Sequence, residues 1–351
     1  MSDSENLLDN LFRSPAVYFP QLDPVAGKAV ALRMDRNAYQ ASSFLDRRTR
    51  SLDGKGYLVE LDHLADEYRR MPPSDKPVNY IFHTAFCGST LLARLLDIPG
   101  KTMVYKEPAV LQMLAWFRRE KPEALAGMSD PDWLRLSHAL NSRTFAEPEV
   151  AVVKPTDSCI NLAADLLSLA PGNAAVLLYQ DLGSFIIAML KSPERQKYLA
   201  NILRRSQQDA RAFPVLANIN PATLSQGQAA AYAWACLLAR YQALLATPDL
   251  PVKSLNADDL FDRTEAVLTA LTAHFALPIG SPEIRSQLEG PLMARDAKET
   301  GQSFDAAAQK TRKAEQQAAL QRELDEARTW LRQTVPELHD LERLPRDLLG
   351  A

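Results

Sequence analysis

The segment from Val78 to Leu96 constrains the fold of this chain more than any other. It opens with VNYIFHTA at 78–85, which is rich in β-branched and aromatic residues and predicts a buried strand. The stretch GSTLLARLLD at 88–97 then predicts a helix. At such a junction the first N–H groups of the helix have no intrahelical partners, and the helix dipole adds partial positive charge. We therefore predict a phosphate-binding turn, with an ordinary turn capped by small residues as the alternative.

The residues of this turn narrow the class of ligand. Gly88 lets the backbone approach an anion closely, and Ser89 and Thr90 supply hydroxyl donors. The turn is not a Walker A loop, because it lacks both the leading glycine and the lysine before Ser or Thr, and this disfavours an ATPase or a kinase. Cys87 could act as a nucleophile at the helix start, but no histidine partner is visible, so we interpret it as a small residue that fills the turn. His83 is interpreted as a core histidine.

Strands and helices alternate along the rest of the chain. Strands are predicted at 56–61, 102–108, 149–155 and 174–181, a strand and turn at 251–260, and helices at 36–47, 62–70, 110–119, 130–141, 158–169, 184–190, 226–246 and 264–275. This order indicates an α/β protein with a mainly parallel sheet flanked by helices. We predict three parts: a small α/β extension at 1–76, the main domain at 77–303, and a C-terminal helix and tail at 304–351 packed on that domain.

Composition disfavours several classes of protein. Apolar residues make up 46% of the 351 residues and charged residues 24%, which is ordinary for a globular protein. The net charge of −3 disfavours a dedicated nucleic-acid binder. The three cysteines suggest neither a disulfide framework nor a metal site, the N-terminus lacks the features of a signal peptide, and no apolar run reaches about 20 residues. We expect a soluble, cytoplasmic protein without metal, membrane or nucleic-acid partners, and a homo-oligomer formed through the C-terminal helix remains an alternative.

The order of several short motifs resembles that of the sulfotransferase family, P-loop enzymes that use 3′-phosphoadenosine-5′-phosphosulfate (PAPS). The family's loop, written P-[KR]-S-G-T-T, is similar to AFCGST at 85–90. The motifs that follow in the family's order are VYKEP at 104–108, VVKPTDS at 152–158, LLYQDLGSFIIAML at 177–190 and the stretch at 252–279. The resemblance covers roughly residues 78–300. It implies a P-loop, nucleotide-binding fold in a divergent, bacterial-like member.

The resemblance also implies a site for PAPS or adenosine 3′,5′-bisphosphate. Its residues would be Phe86, Cys87, Gly88, Ser89, Thr90, Gln180, Ser184, Arg295 and Lys298. Three positions depart from the family pattern: Phe86 replaces the loop Lys or Arg, Gln180 replaces the arginine for the 3′-phosphate, and Ala188 replaces a serine. Because a buried phosphate requires charged hydrogen bonds, either other cations substitute, or the donor differs, or the protein is a non-catalytic relative. If PAPS is the donor, some basic group must replace the arginine at Gln180. We nominate Arg295 and Lys298.

The reaction implied by the resemblance is transfer of a sulfuryl group to a hydroxyl or amine acceptor. Glu107 would be the base and Lys154 the clamp on the sulfuryl group, with Lys106 beside them at a strand end. Alternatively, Glu107 is a surface carboxylate paired with Lys106, and Lys154 is a solvated loop lysine. Two other functions stay open: a non-catalytic protein that binds a nucleotide or a partner, and a transferase or kinase that uses another phosphorylated donor.

Overall fold

The computed structural model describes residues 11–71, 74–120, 128–293, 315–339 and 343–350. Strands within these ranges form two sheets. The first is antiparallel and contains β1 (Val17–Asp23), β2 (Lys28–Arg33) and β3 (Tyr57–Glu60). The second is parallel and contains β4 (Val78–His83), β5 (Thr102–Lys106), β6 (Val150–Lys154), β7 (Ala174–Tyr179) and β8 (Val252–Asn256).

The parallel sheet has the strand order β5-β6-β4-β7-β8, which confirms the predicted α/β class. Its strands are almost continuously apolar because both faces are covered, and in β7 all of the residues AAVLLY are buried. After β4 the chain builds β5 and β6 on one side, and it then returns to build β7 and β8 on the other. A change of direction of this kind opens a crevice at the carboxyl ends of the central strands. The turn after β4 therefore lies where open α/β sheets bind their ligands.

Helices cover both faces of the parallel sheet. In chain order they are α1 (Arg36–Ala41), α2 (Leu61–Arg70), α3 (Ser89–Leu95), α4 (Ala109–Glu120), α5 (Asp130–Asn141), α6 (Ala163–Ser168), α7 (Leu182–Leu190), α8 (Pro193–Asp209), α9 (Pro214–Ala217), α10 (Gln226–Ala246), α11 (Ala257–Asp262), α12 (Thr264–His274), α13 (Ser281–Glu289), α14 (Gln321–Thr334) and α15 (Pro336–His339), with 3₁₀ helices at Asp157–Leu162, Ala210–Ala212 and Pro221–Thr223. One face packs against α3, α12 and α13. The other packs against α4 to α8, α10 and α14.

The antiparallel sheet contributes to the hydrophobic core that lies between the parallel sheet and the helices α4 to α8, α10 and α14. Tyr18 of β1 is buried in the same cluster as Tyr105 of β5, and its hydroxyl accepts a hydrogen bond from the amide of Ala109 at 3.0 Å. The sequence did not predict β1 and β2, because Pro20 interrupts the apolar pattern of β1 at a point where its pairing with β2 shifts register. The predicted helix at 36–47 is shorter than expected and ends at Ala41.

The longest helix, α10, was predicted with the same bounds and packs against α14. Its start is fixed by a capping box, in which the Ser225 side chain accepts from the amide of Gln228 and the Gln228 side chain accepts from the amide of Ser225. A Cβ atom on Gly227 would lie 2.3 Å from the backbone oxygen of Glu323, so only glycine permits this close approach. Residues 304–314 of the predicted tail helix lie outside the described residues.

Both edges of the parallel sheet are occupied by other parts of the chain. Along β8, the amide of Ser254 donates to Arg346 O at 3.0 Å, and the amide of Leu348 donates to Ser254 O at 2.8 Å. Along β5, the amide of Leu45 donates to Lys106 O at 2.7 Å. Among the described residues, no helix combines the length and the apolar character that crossing a membrane requires.

Candidate functional site

The turn after β4 has an unusual backbone. Ala85, Phe86 and Gly88 have φ angles of 65°, 53° and 87°, which lie in the left-handed region that side chains normally disfavour. Hydrogen bonds hold the turn in this shape: the amide of Ala85 donates to His83 Nδ1 at 3.1 Å, and Gln180 Nε2 donates to Ala85 O at 3.0 Å. A strained turn that its surroundings fix so firmly is typical of a functional site.

Gly88 meets two separate requirements of this turn. It precedes α3 with a positive φ, and a Cβ atom there would lie 2.7 Å from Cζ of Phe261. Ser89 and Thr90, the first residues of α3, are both buried. Gly88, the N-cap residue, offers no side chain to the amides of this helix, and the backbone of Ser89 hydrogen-bonds to the Cys87 thiol. Packing against Phe261 and the positive φ therefore both require glycine at this position, and anion binding by the turn stays a prediction.

Cys87 and His83 have structural roles. Burial raises the pKa of the Cys87 thiol, although hydrogen bonds from the backbone of Ser89 and Thr84 and the positive charge of Lys154 oppose this shift. A thiol with a raised pKa is a poor nucleophile at neutral pH. His83 receives the amide of Ala85 at Nδ1, so its Nε2 carries the proton and donates to Pro155 O at 3.0 Å. The histidine thus ties the turn to the end of β6.

Glu107 and Lys154 lie together at the carboxyl ends of β5 and β6. The Lys154 ammonium donates to the Glu107 carboxylate, and the ammonium lies 5.6 Å from the centre of the Phe44 ring. The Lys154 side chain is 1% exposed, whereas that of Glu107 is 22% exposed. Glu107 has a φ of 60°, a strained conformation that turns the chain directly after β5. The structure therefore brings the predicted base and the predicted clamp into one ion pair, with the carboxylate open to solvent.

Lys106 lies directly beside Lys154 in the register of the sheet, but it has different partners. Its ammonium donates to Tyr39 O at 2.8 Å and Gln40 O at 3.3 Å, and it lies 3.7 Å from the Asp97 carboxylate. Burial lowers the pKa of Lys106 to about 8, and Asp97 partly opposes that shift. These contacts connect Lys106 to α1 and to the end of α3, so the structure does not join it to the Glu107–Lys154 pair.

Gln180 and Ser184 follow β7 on the other side of the turn. The Gln180 side chain is buried and supports the turn through Ala85 O, and Gln180 O accepts from Trp234 Nε1 at 2.9 Å. Ser184 lies in the first turn of α7, where its amide donates to the Asp181 side chain. The Gln180 side chain thus stabilises the turn through a hydrogen bond. It occupies the position where the resemblance implies an arginine. Arg295 and Lys298 lie outside the described residues.

Helix α8 supplies site residues that the sequence interpretation missed. The guanidinium carbon of Arg195 lies 3.2 Å from the centre of the Phe86 ring, and the Tyr198 ring meets Phe86 edge-on at 5.2 Å. The Tyr198 hydroxyl donates to Asp157, which also accepts from Arg205 at 2.6 Å. Arg195, Tyr198 and Arg205 are spaced at three and seven residues on one helix face, a pattern that could have indicated a polar helix face at the site.

Among known proteins, similarity to this chain is found at the level of structure. No protein-family model matches the sequence, and no curated protein matches it. A sulfotransferase domain from the curacin biosynthetic pathway is similar in structure, with a TM-score of 0.40 and 15% sequence identity over 65% of this chain and 83% of that chain. Similarity at this level does not bear on the reaction, which has to be argued from the residues of the site.

Proposed function

We propose that this protein transfers a sulfuryl group from PAPS to a hydroxyl or amine acceptor. The observation that carries the proposal is the Glu107–Lys154 ion pair, which places a carboxylate and a cation at the crevice of the parallel sheet. The strained turn at 84–88 lies at the same end of the sheet, after the central strand. A base, a cation and an anion-binding turn are the parts that sulfuryl transfer requires.

The residues present fit an anionic donor. Lys154 is a buried cation whose partner, Glu107, is exposed enough to change its interactions when a substrate binds. Arg195 adds a second cation next to the turn, where its Nη1 is buried. Arg295 and Lys298 remain our candidates for the 3′-phosphate. A phosphosulfate would supply an activated sulfuryl group, and the residues named here would hold its charge.

Each residue then has one chemical task. Glu107 accepts the proton of the acceptor hydroxyl as the acceptor oxygen forms its bond to sulfur. The bond between sulfur and the bridging oxygen of the donor breaks, and adenosine 3′,5′-bisphosphate leaves. Lys154 stabilises negative charge on the transferred group, because a cation fixed in a water-poor site needs little reorganisation. The hydrogen bond from Gln180 Nε2 to Ala85 O keeps the turn in its strained conformation during the reaction.

A ligand screen followed by a transfer assay tests this function. Thermal unfolding would be measured with PAPS, adenosine 3′,5′-bisphosphate and ATP, and a ligand at 100 times its Kd should add ~2.7 kcal/mol of stability. We expect both adenosine 3′-phosphates to stabilise the protein more than ATP does. Radiolabelled PAPS with a panel of phenols, alcohols and amines should then yield a labelled product. Stabilisation by nucleotide without any product would favour a non-catalytic binding protein, and stabilisation by ATP alone would favour another phosphorylated donor.

A further inference from the structure

Arg195 differs from Arg205 and Arg119 in that it has no acidic partner among the described residues. Its Nη1 atom is buried and has no hydrogen-bond partner in the described part of the chain, and no carboxylate there forms an ion pair with it. By contrast, Arg205 on the same helix binds Asp157 at 2.6 Å, and Arg119 binds Asp209 at 2.7 Å. Burial lowers the pKa of Arg195. Arg195 as a whole is only half-buried, so its cost lies in the Nη1 donor, which has lost water without gaining an acceptor, and an oxyanion bound to the guanidinium would reduce that cost.

The position of Arg195 is fixed by aromatic contacts. The Phe86 ring supports the guanidinium from one side, and cation–π contact is stronger for partly desolvated cations. The Tyr198 ring packs on the edge of Phe86, and its hydroxyl is anchored by Asp157. Helix α8 begins just before Arg195, where Pro193 follows the Ser192 cap, so the backbone there is also defined. The Phe86 ring therefore positions the guanidinium of Arg195, a residue of a helix distant in sequence, next to the turn.

We propose that Arg195 binds a phosphate- or sulfate-type oxyanion of the ligand at the 84–88 turn, and that the Phe86–Arg195 stack takes the place of a cation within the turn itself. The proposal deepens the proposed function and rests on it for the identity of the donor, whereas the anion site itself does not require catalysis. It explains why an aromatic residue can occupy position 86 in a turn built for an anion: the ring aligns the guanidinium, whose planar donors suit a tetrahedral oxyanion.

Isothermal titration with PAPS, adenosine 3′,5′-bisphosphate and pyrophosphate tests this site. Arg195→Ala should weaken binding of these ligands at least about tenfold. Arg204→Ala is the matched control, because Arg204 is an exposed arginine on the same helix. The Arg204→Ala protein should bind the three ligands with the affinity of the wild type. The double variant Phe86→Lys with Arg195→Ala returns a cation to the turn and should recover part of the lost affinity. Circular dichroism melts would verify that each variant is folded.

The outcomes separate this inference from the proposed function. Equal affinities for the wild type and Arg195→Ala overturn the role of Arg195, whether or not sulfuryl transfer is observed. Loss of affinity in Arg195→Ala without any transfer in the wild type supports the anion site and refutes the sulfotransferase. A wild type that binds none of the three ligands overturns both. A larger loss of affinity in Arg195→Ala for PAPS than for adenosine 3′,5′-bisphosphate would assign Arg195 to the sulfate end, and an equal loss for both would assign it to a phosphate.

Discussion

Glu107 is joined to Lys154 twice, once through the backbone and once through the side chains. The Glu107 amide donates to Lys154 O at 2.6 Å, and the Lys154 ammonium donates to the Glu107 carboxylate. The first bond extends the pairing of β5 and β6 by one residue beyond the strand end. The second therefore fixes the carboxylate where the parallel strands open toward the crevice.

Glu107→Gln should reduce turnover by about 10²- to 10⁴-fold, because the amide keeps the shape of the side chain but cannot accept a proton. Binding of adenosine 3′,5′-bisphosphate should stay close to that of the wild type, as should the unfolding temperature. Turnover with saturating PAPS gives the comparison. Glu147→Gln serves as the control, since that side chain is 76% exposed and forms its ion pair with Lys76. A Glu107→Gln protein with wild-type turnover would show that the base is another group.

Lys154→Met and Lys106→Met form a matched pair, because the two lysines are neighbours in the sheet and each has 1% of its side chain exposed. Lys154→Met should lower turnover more than stability, since Glu107 can be solvated once its partner is lost. Lys106→Met should instead lower the free energy of unfolding by about 1–3 kcal/mol, because Tyr39 O and Gln40 O lose their donor and the buried Asp97 loses one cation, although it retains Arg36 at 3.4 Å. Urea unfolding and turnover would be measured for both. The reverse pattern would assign the clamp to Lys106.

The pH dependence of stability offers a separate test of Lys106. Burial lowers its pKa in the folded protein to about 8, below the ordinary value of 10.5. Between these two pH values the unfolded chain binds more protons, so the free energy of unfolding should rise with pH, by up to about 1.4 kcal/mol per pH unit. The measurement is the difference in stability between the wild type and Lys106→Met from pH 7 to 10.5. Above pH 8 the free energy of unfolding of the wild type should rise relative to that of Lys106→Met. A difference that does not change with pH would contradict the lowered pKa of Lys106.

Gly88→Ala should destabilise the protein more than Gly54→Ala does. Both glycines have a positive φ, 87° and 70°, so alanine at either one carries a conformational cost of roughly 1–2 kcal/mol. Only at Gly88 would the new Cβ also meet the Phe261 ring, at 2.7 Å, since Gly54 has open space around it. Chemical unfolding would be measured for both single variants and for the double variant Gly88→Ala/Phe261→Ala. The comparison separates the conformational cost of a positive φ from the steric cost of the contact with Phe261. If the double variant is no more stable than Gly88→Ala alone, the contact with Phe261 contributes nothing.

The sequence predicted the parts of the fold that depend on local pattern. All five strands of the parallel sheet were predicted within about two residues at most ends, apart from the longer 251–260 segment, because fully buried strands are continuous apolar runs. The carboxyl ends of these strands meet at one edge, so the residues of the predicted site lie near one another there, and their function stays a prediction. Local pattern could not distinguish Lys106 from Lys154, which both end apolar strands and differ only in the partners that the fold brings to them.

The part that sequence interpretation missed depends on distant contacts. Arg195 is more than 100 residues from Phe86, and nothing around either residue indicates that they meet. A sequence motif shows which residue occupies a position in the turn. The charge near that position also depends on side chains from distant parts of the sequence that pack against it. An aromatic residue at position 86 therefore does not exclude a cation beside the turn, because Arg195 lies against its ring.

The covered edges of the parallel sheet bear on how copies of this protein behave in concentrated solution. An open strand edge presents unpaired amides and carbonyls, which recruit a strand from another molecule and start aggregation. Residues 346–348 occupy the edge of β8, and Leu45 occupies part of the edge of β5. The short segment at 343–350 thus covers part of the β8 edge around Ser254, and a chain shortened before Arg343 should expose that part as a template for edge-to-edge association.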